Sequence, residues 1–196
     1  MTGSRGNDKG KIIYDPVTIK NMKIIIIPNP ILTRKSKSII NFNLKLSNFC
    51  QNLVKTLLNA KNPPGIGLAA PQVGKNWRIF AITLPDEKPQ IFINPKIIYH
   101  SKEKKYFKTE NRQPFLEGCL SIPKIYGTVK RWPKIKVVWQ NEKGEKQQAD
   151  FNNLKAIVFQ HEYDHLEGIL FTQRVIEQKG QLYEEKNGIM EKLIEN

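Results

Sequence analysis

In Gln160-His161-Glu162-Tyr163-Asp164-His165-Leu166-Glu167-Gly168, two imidazoles stand four residues apart with a carboxylate beside the first. On a helix, residues i and i+4 share a face, so His161 and His165 can reach one Zn2+ or Fe2+ ion while Glu162 stays close to a water on that ion. The chemistry implied is metal-assisted hydrolysis. Only three positions of such a motif are fixed, so the competing reading is a pair of histidines with no ligand role. The flanks favour a helix. Leu154, Ile157, Val158, Phe159 and Leu166 recur at helical spacing, Asn152 or Asn153 is a candidate N-cap, and Gly168 offers a C-terminal stop.

A third ligand decides the enzyme class. A continuation His-x-x-Gly-x-x-His is excluded, because Phe171 stands where its last histidine belongs. A glutamate from a later helix fits by spacing at Glu184 or Glu185, which keeps a thermolysin-like metallopeptidase open. The remaining candidate is Cys119 in Glu117-Gly118-Cys119-Leu120-Ser121. A thiolate with two imidazoles leaves one tetrahedral position free, as a catalytic site requires, although a lone cysteine is by itself more often a small buried residue.

Three blocks, in this order, resemble the peptide deformylases: Gly65-Ile66-Gly67-Leu68-Ala69-Ala70-Pro71-Gln72-Val73-Gly74, then Glu117 to Ser121, then Gln160 to Gly168. Weaker likeness extends the resemblance over about residues 24 to 175. It implies removal of the formyl group from the N-terminal formyl-methionine of new polypeptides. It also implies that Cys119, His161 and His165 hold one divalent metal, Fe2+ as the native ion with Ni2+, Co2+ or Zn2+ as substitutes. Glu162 is then the acid/base residue, while the Gln72 side-chain amide and the Leu120 backbone N–H stabilise negative charge on the formyl oxygen.

The same resemblance assigns substrate contacts. Gly67 lies where an extended peptide can approach the backbone as an added strand. Ile66, Leu154, Ile157, Val158 and His161 are expected to line the methionine pocket, although a helix would bury Leu154, Ile157 and Val158 in any case. Glu117 is expected to pair with Arg131 and to orient the site. Two departures stand out. The lysine-rich stretch Ser101 to Lys108 reads as an exposed loop or hairpin insertion, and Tyr126 replaces an arginine that contacts substrate in many bacterial members.

Composition suits one compact α+β domain over residues 11–196, with residues 1–10 as a disordered leader. An amphipathic helix is expected over 41–60, carrying Leu46, Phe49, Cys50, Leu53 and Leu57. Strands are expected at 78–84, 91–99, 125–131, 135–140 and 147–151, and a terminal helix at 181–195. The sheets, mixed or antiparallel, would wrap a central helix carrying the motif. Cys50 and Cys119 make no disulfide framework, which suits a reducing, intracellular setting, and no apolar run approaches a membrane span.

The net charge of +14 raises a second class, a noncatalytic basic binding module. Lysines are scattered among Asn and Ile, however, and form no specific nucleic-acid motif. Charge of this kind supports only weak, salt-sensitive association with the ribosome. From Arg174 to Asn196 there are four basic and five acidic residues, so no basic docking tail is present there. The Lys/Asn/Ile bias and the insertion favour a eukaryotic organelle, a plastid, apicoplast or mitochondrion, over the bacterial cytoplasm.

Overall fold

A computed structural model describes residues 20–61, 64–109 and 112–193; the expected leader at 1–10 lies outside the described residues. The first helix, α1, spans Leu44–Asn59 and is capped by Asn43, whose side chain accepts from the Leu46 N–H at 3.1 Å. Leu46, Phe49, Cys50, Leu53 and Leu57 form its buried stripe at the helical period.

Eleven strands are described: β1 (Gly67–Ala69), β2 (Ile79–Ile82), β3 (Gln90–His100), β4 (Lys105–Tyr106), β5 (Leu116–Cys119), β6 (Ile122–Thr128), β7 (Lys130–Arg131), β8 (Lys134–Gln140), β9 (Lys146–Asn152), and, after helices α2 (Asn153–Glu167) and α3 (Phe171–Glu177), β10 (Leu182–Lys186) and β11 (Ile189–Lys192). A larger sheet runs in the order β1-β2-β3-β8-β9, a smaller one β11-β10-β6-β5, and β4 pairs with β7. All of these ladders are antiparallel, as expected for an α+β chain.

Side chains alternate across β1 and β2. Leu68, Ile79 and Ala81 join α1 in one buried cluster, while Ala69, Phe80 and Ile82 join α2 in the other. The α2 side is aromatic: Phe80, Phe92 and Phe159 meet with ring centroids 5.0–5.3 Å apart. Each buried phenylalanine contributes about 1.5–3 kcal/mol by burial, and edge-to-face pairs add to it. Helix α2 packs against β1, β2, β8 and β9 and also touches β7, so its two ends of contact fall on different sheets.

The expected terminal helix at 181–195 is not formed. The described residues there are the hairpin β10–β11, which adds to the edge of β6. Asn187 and Gly188, with φ of 52° and 80°, make its turn, and an Asn-Gly pair accepts two positive φ values that few other residues tolerate. The lysine-rich insertion also returns on itself, with the Thr109 N–H donating to Gln113 O and the Phe115 N–H to Phe107 O. Its Lys104 lies 4.4 Å over the Trp132 ring, so this stretch is partly docked on the body.

Candidate active site

The motif lies on α2, which begins at Asn153 and ends where Gly168 adopts a left-handed φ of 74°. A side chain at 168 would run into the Thr33 carbonyl, 2.5 Å from the added Cβ, so glycine is required twice over. Asn152 occupies the N-cap without a side-chain bond.

Cys119 ends β5 at an irregularity in its pairing with β6. That break brings its sulfur to 3.2 Å from His165 Nε2. Cys119, His161 and His165 each offer one donor atom, all within 4.8 Å of one another, and they are the only such set of three among the described residues. Glu184 and Glu185 stand instead on β10, where Glu184 pairs with Lys186 and Glu185 accepts from Tyr126. The later-glutamate alternative therefore has no counterpart in this geometry.

His161 Nδ1 lies 2.9 Å from Glu117 Oε2, a contact that places the proton on Nδ1 and turns Nε2 toward Cys119. Glu117 in turn accepts two bonds from Arg131, at 2.8 and 2.9 Å. Arg131 also reaches Asp164, which is gripped from its other side by Arg174 at 2.8 and 3.1 Å. Burial opposes the Glu117 carboxylate, yet Arg131 outweighs it and holds the group well below the usual carboxylate range. For Asp164, burial is likewise overcome by Arg131 and Arg174.

The same balance acts on the sulfur. Burial pushes the Cys119 thiol up, but His165 and His161 outweigh it and bring its pKa down to about 5, so the thiolate form prevails at neutral pH. Glu162 is only 3 % exposed, and burial lifts its pKa to about 7 against the pull of His161 and His165. Its Oε2 has no hydrogen-bond partner among the described residues. A buried carboxyl that is part protonated at neutral pH, beside three metal-type donors, is the arrangement an acid/base group needs.

Gln72 sits on a one-turn 3-10 segment, Ala70–Val73. Its Oε1 accepts from the Ala69 N–H at 2.8 Å, which fixes the amide so that Nε2 donates toward Cys119 Sγ at 3.4 Å and Ser121 Oγ at 3.2 Å. The extended entry segment holds both pieces: the Ile25 N–H bonds Gln72 O, and the Ile27 N–H bonds Ser121 O.

A cavity of about 190 Å3 opens over these groups. Its lining includes Ile66, Gly67, Gln72, Glu117, Cys119 and Leu120 together with Ile157, Val158, His161 and Glu162 of α2. Leu154 is not brought there. It lies one turn earlier on α2 and packs against the aromatic cluster. The sequence reading also left out Asp164, Arg174 and Ser121. Asp164 lies inside the motif itself, and an aspartate on a buried helix face was the available signal for its arginine partners.

Comparison with known proteins gives one family. The model of the polypeptide deformylases matches residues 21–181. A peptide deformylase of Pseudothermotoga lettingae is 40% identical over 149 residues, covering 76% of this chain and 80% of the relative. Peptide deformylase 1B of Arabidopsis thaliana, described as chloroplastic/mitochondrial, is 37% identical over 179 residues, covering 89% of this chain and 62% of the relative. The crystal structure of peptide deformylase from Thermotoga maritima superposes with a TM-score of 0.70 at 33% identity, covering 79% of this chain and 97% of that one.

Proposed function

Because the chain belongs to the peptide deformylase family, it is a hydrolase that removes the N-formyl group of nascent polypeptides, and we propose that Cys119, His161 and His165 hold its one catalytic metal with Glu162 as the acid/base residue. The observation that carries this reading is the convergence of three soft and borderline donors beside a buried carboxyl of raised pKa. A Cys/His/His set suits a divalent cation, with Fe2+ proposed as native and Ni2+, Co2+ or Zn2+ as substitutes. A cation held there supplies Lewis acidity and brings the pKa of water from about 15.7 toward ~7.

The remaining work falls to groups of this chain. Glu162 takes the proton of the attacking water and returns it to the departing amine, a cycle open to a carboxyl with a pKa of about 7. Gln72 Nε2 and the Leu120 N–H face the developing charge on the formyl oxygen, each donor contributing roughly 3–4 kcal/mol. Glu117 and Arg131 keep the His161 ring oriented. The peptide backbone runs between the edge strands β1 and β5, and the methionine side chain enters among Ile66, Ile157 and Val158. On this reading α2 is the central metal-bearing helix and residues 11–196 form one catalytic domain.

Among the described residues no helix is long and apolar enough to cross a membrane. Relatives from bacteria and from plant organelles lie at similar identity, so the proposed setting is a compartment that starts translation with formyl-methionine; the compositional bias and the lysine-rich insertion favour an organelle. Weak ribosome association is proposed on net charge only. The test is formate release from formyl-Met-Ala-Ser by protein loaded anaerobically with Fe2+ or Ni2+, with Glu162→Ala as control. Cleavage of internal peptide bonds without formate release would overturn the assignment.

A further inference from the structure

Residues 34–43 lead into α1 along a path pinned at several points. The Lys37 N–H donates to Asn76 O at 3.1 Å, and Lys37 O accepts from the Arg78 N–H at 2.8 Å. The Asn94 side chain accepts from the Ile39 N–H and donates to Ile39 O, both at 2.8 Å. Two grooves flank this segment and meet at Ser38, which lines both. One, of about 590 Å3, carries Arg34, Lys37 and Lys45 with Asn41 and Asn43. The other, of about 620 Å3, carries Lys96 and Lys146 with Gln140, Gln147 and Gln148.

Among the described residues no Asp or Glu lines either groove. By contrast, Glu117 and Glu162 line the active-site cavity, and Asp164 and Glu167 line the cavity shared by Arg131 and Arg174. Glu142 and Glu145 stand on the turn against which Phe42 packs, yet neither belongs to the lining. The two arginine and lysine sets therefore form one run of exposed cations, with amides between them and no carboxylate to neutralise them. Such a run matches a flexible polyanion. Its ammonium and guanidinium groups suit phosphates, while the amides suit base edges and ribose hydroxyls. A bilayer or a rigid duplex touches only the rim of a concave path, whereas a single strand lies along it.

We propose that this groove holds single-stranded RNA of the ribosome through phosphate contacts to Arg34, Lys37, Lys45, Lys96 and Lys146. The deformylase reading supplies the occasion, a formylated chain on a ribosome, and the binding is measured without it. The probe is fluorescein-labelled dodecauridylate, followed by anisotropy with the full chain at several salt concentrations. A Kd of about 10⁻⁵ M is expected at about 0.1 M salt. The log–log salt slope is expected at about −2 to −3.5, as for about three to five phosphates on a single strand. The triple variant Lys37→Ala, Lys45→Ala, Lys96→Ala lowers affinity at least about tenfold and flattens the slope by about 2. The triple variant Lys102→Ala, Lys105→Ala, Lys108→Ala makes the same charge change on the insertion and leaves affinity within about threefold. Should the groove triple fail to fold, its three single variants each flatten the slope by about 0.7. Formate release from formyl-Met-Ala-Ser, unchanged in both triples, reports an intact fold. Absence of binding at about 0.1 M salt, or equal losses in the two triples, overturns the proposal. Displacement of the RNA by a deca-glutamate peptide at equal concentration overturns it as well, since the groove then reads charge alone. An unmodified protein that binds the RNA but releases no formate overturns the deformylase reading and leaves the groove standing.

Discussion

Gly67 and Glu162 occupy a shared space that only glycine permits: a Cβ on Gly67 would lie 2.2 Å from Glu162 Oε1 and 2.8 Å from its Cγ. The glycine clears room for the carboxyl. Gly67→Ala is expected to displace Glu162 and lower kcat/KM by about 100-fold, the scale of an ångström-sized misplacement, with the fold retained. Kinetics on formyl-Met-Ala-Ser beside circular dichroism checks this; near-normal kcat/KM would show that the carboxyl does not need its present position.

Glu162→Gln keeps size and polarity but removes the titrating group. A loss of about 10²–10⁴ in kcat is expected with metal content unchanged, as metal analysis and formate release would show. The pH profile follows from the raised pKa of about 7: the carboxylate needed for proton abstraction increases through neutrality and falls away below it. A rising acidic limb present in the unmodified protein and missing from residual activity of the variant is the signature.

The Gln72 amide cannot be reversed, because its oxygen is already occupied by the Ala69 N–H. Gln72→Leu is expected to lower kcat by about 10²–10³ with KM little changed. Gln72→Glu should be worse, since it directs a second oxygen at the Cys119 sulfur. Steady-state kinetics separates the two variants.

Asp164 lies between Arg131 and Arg174, and removing its charge leaves Arg131 with one anion fewer in a buried setting. Asp164→Asn is expected to cost about 3 kcal/mol in urea unfolding. The sign with pH is definite. The folded pKa is depressed, so the contribution is fully present above the unfolded value of about 4 and is lost as pH falls through the lower folded value. Tm should therefore drop steeply below about pH 4 in the unmodified protein and less steeply in the variant.

Cys119→Ala should abolish binding of a stoichiometric cation. With Co2+ as probe, the unmodified protein should show a sulfur-to-metal charge-transfer band that the variant lacks. A variant that retained that band would place the sulfur outside the ligand set.

The helix at Leu44–Asn59 was legible because its apolar stripe of three turns or more leaves a strong periodic trace, and that at Asn153–Glu167 through its histidine spacing and the glycine that ends it, since polar residues share its buried face. The three blocks read from the sequence converge on one cavity, which Ile66, Ile157, Val158 and His161 also line and Leu154 does not. Strand β1 was not, since it is buried on both sides by α1 and α2 and shows no alternation over three residues. The terminal hairpin was misread because Glu184, Glu185, Lys186, Glu191 and Lys192 are good helix formers. The Asn187-Gly188 turn, a stronger local signal, was passed over. The chain of Asp164 and Arg174 needed tertiary contact across ten residues and a helix break, which no period reveals.

The sulfur on β5 and the imidazole on α2 that meet at 3.2 Å are 46 residues apart in the chain. A cation bound between them acts as a removable cross-link between strand and helix, with no equivalent in the unfolded polypeptide. Occupancy is thereby coupled to thermal resistance: at a free ion concentration 100 times its dissociation constant the folded form gains about 2.7 kcal/mol, so scarcity of the ion weakens the scaffold along with the chemistry.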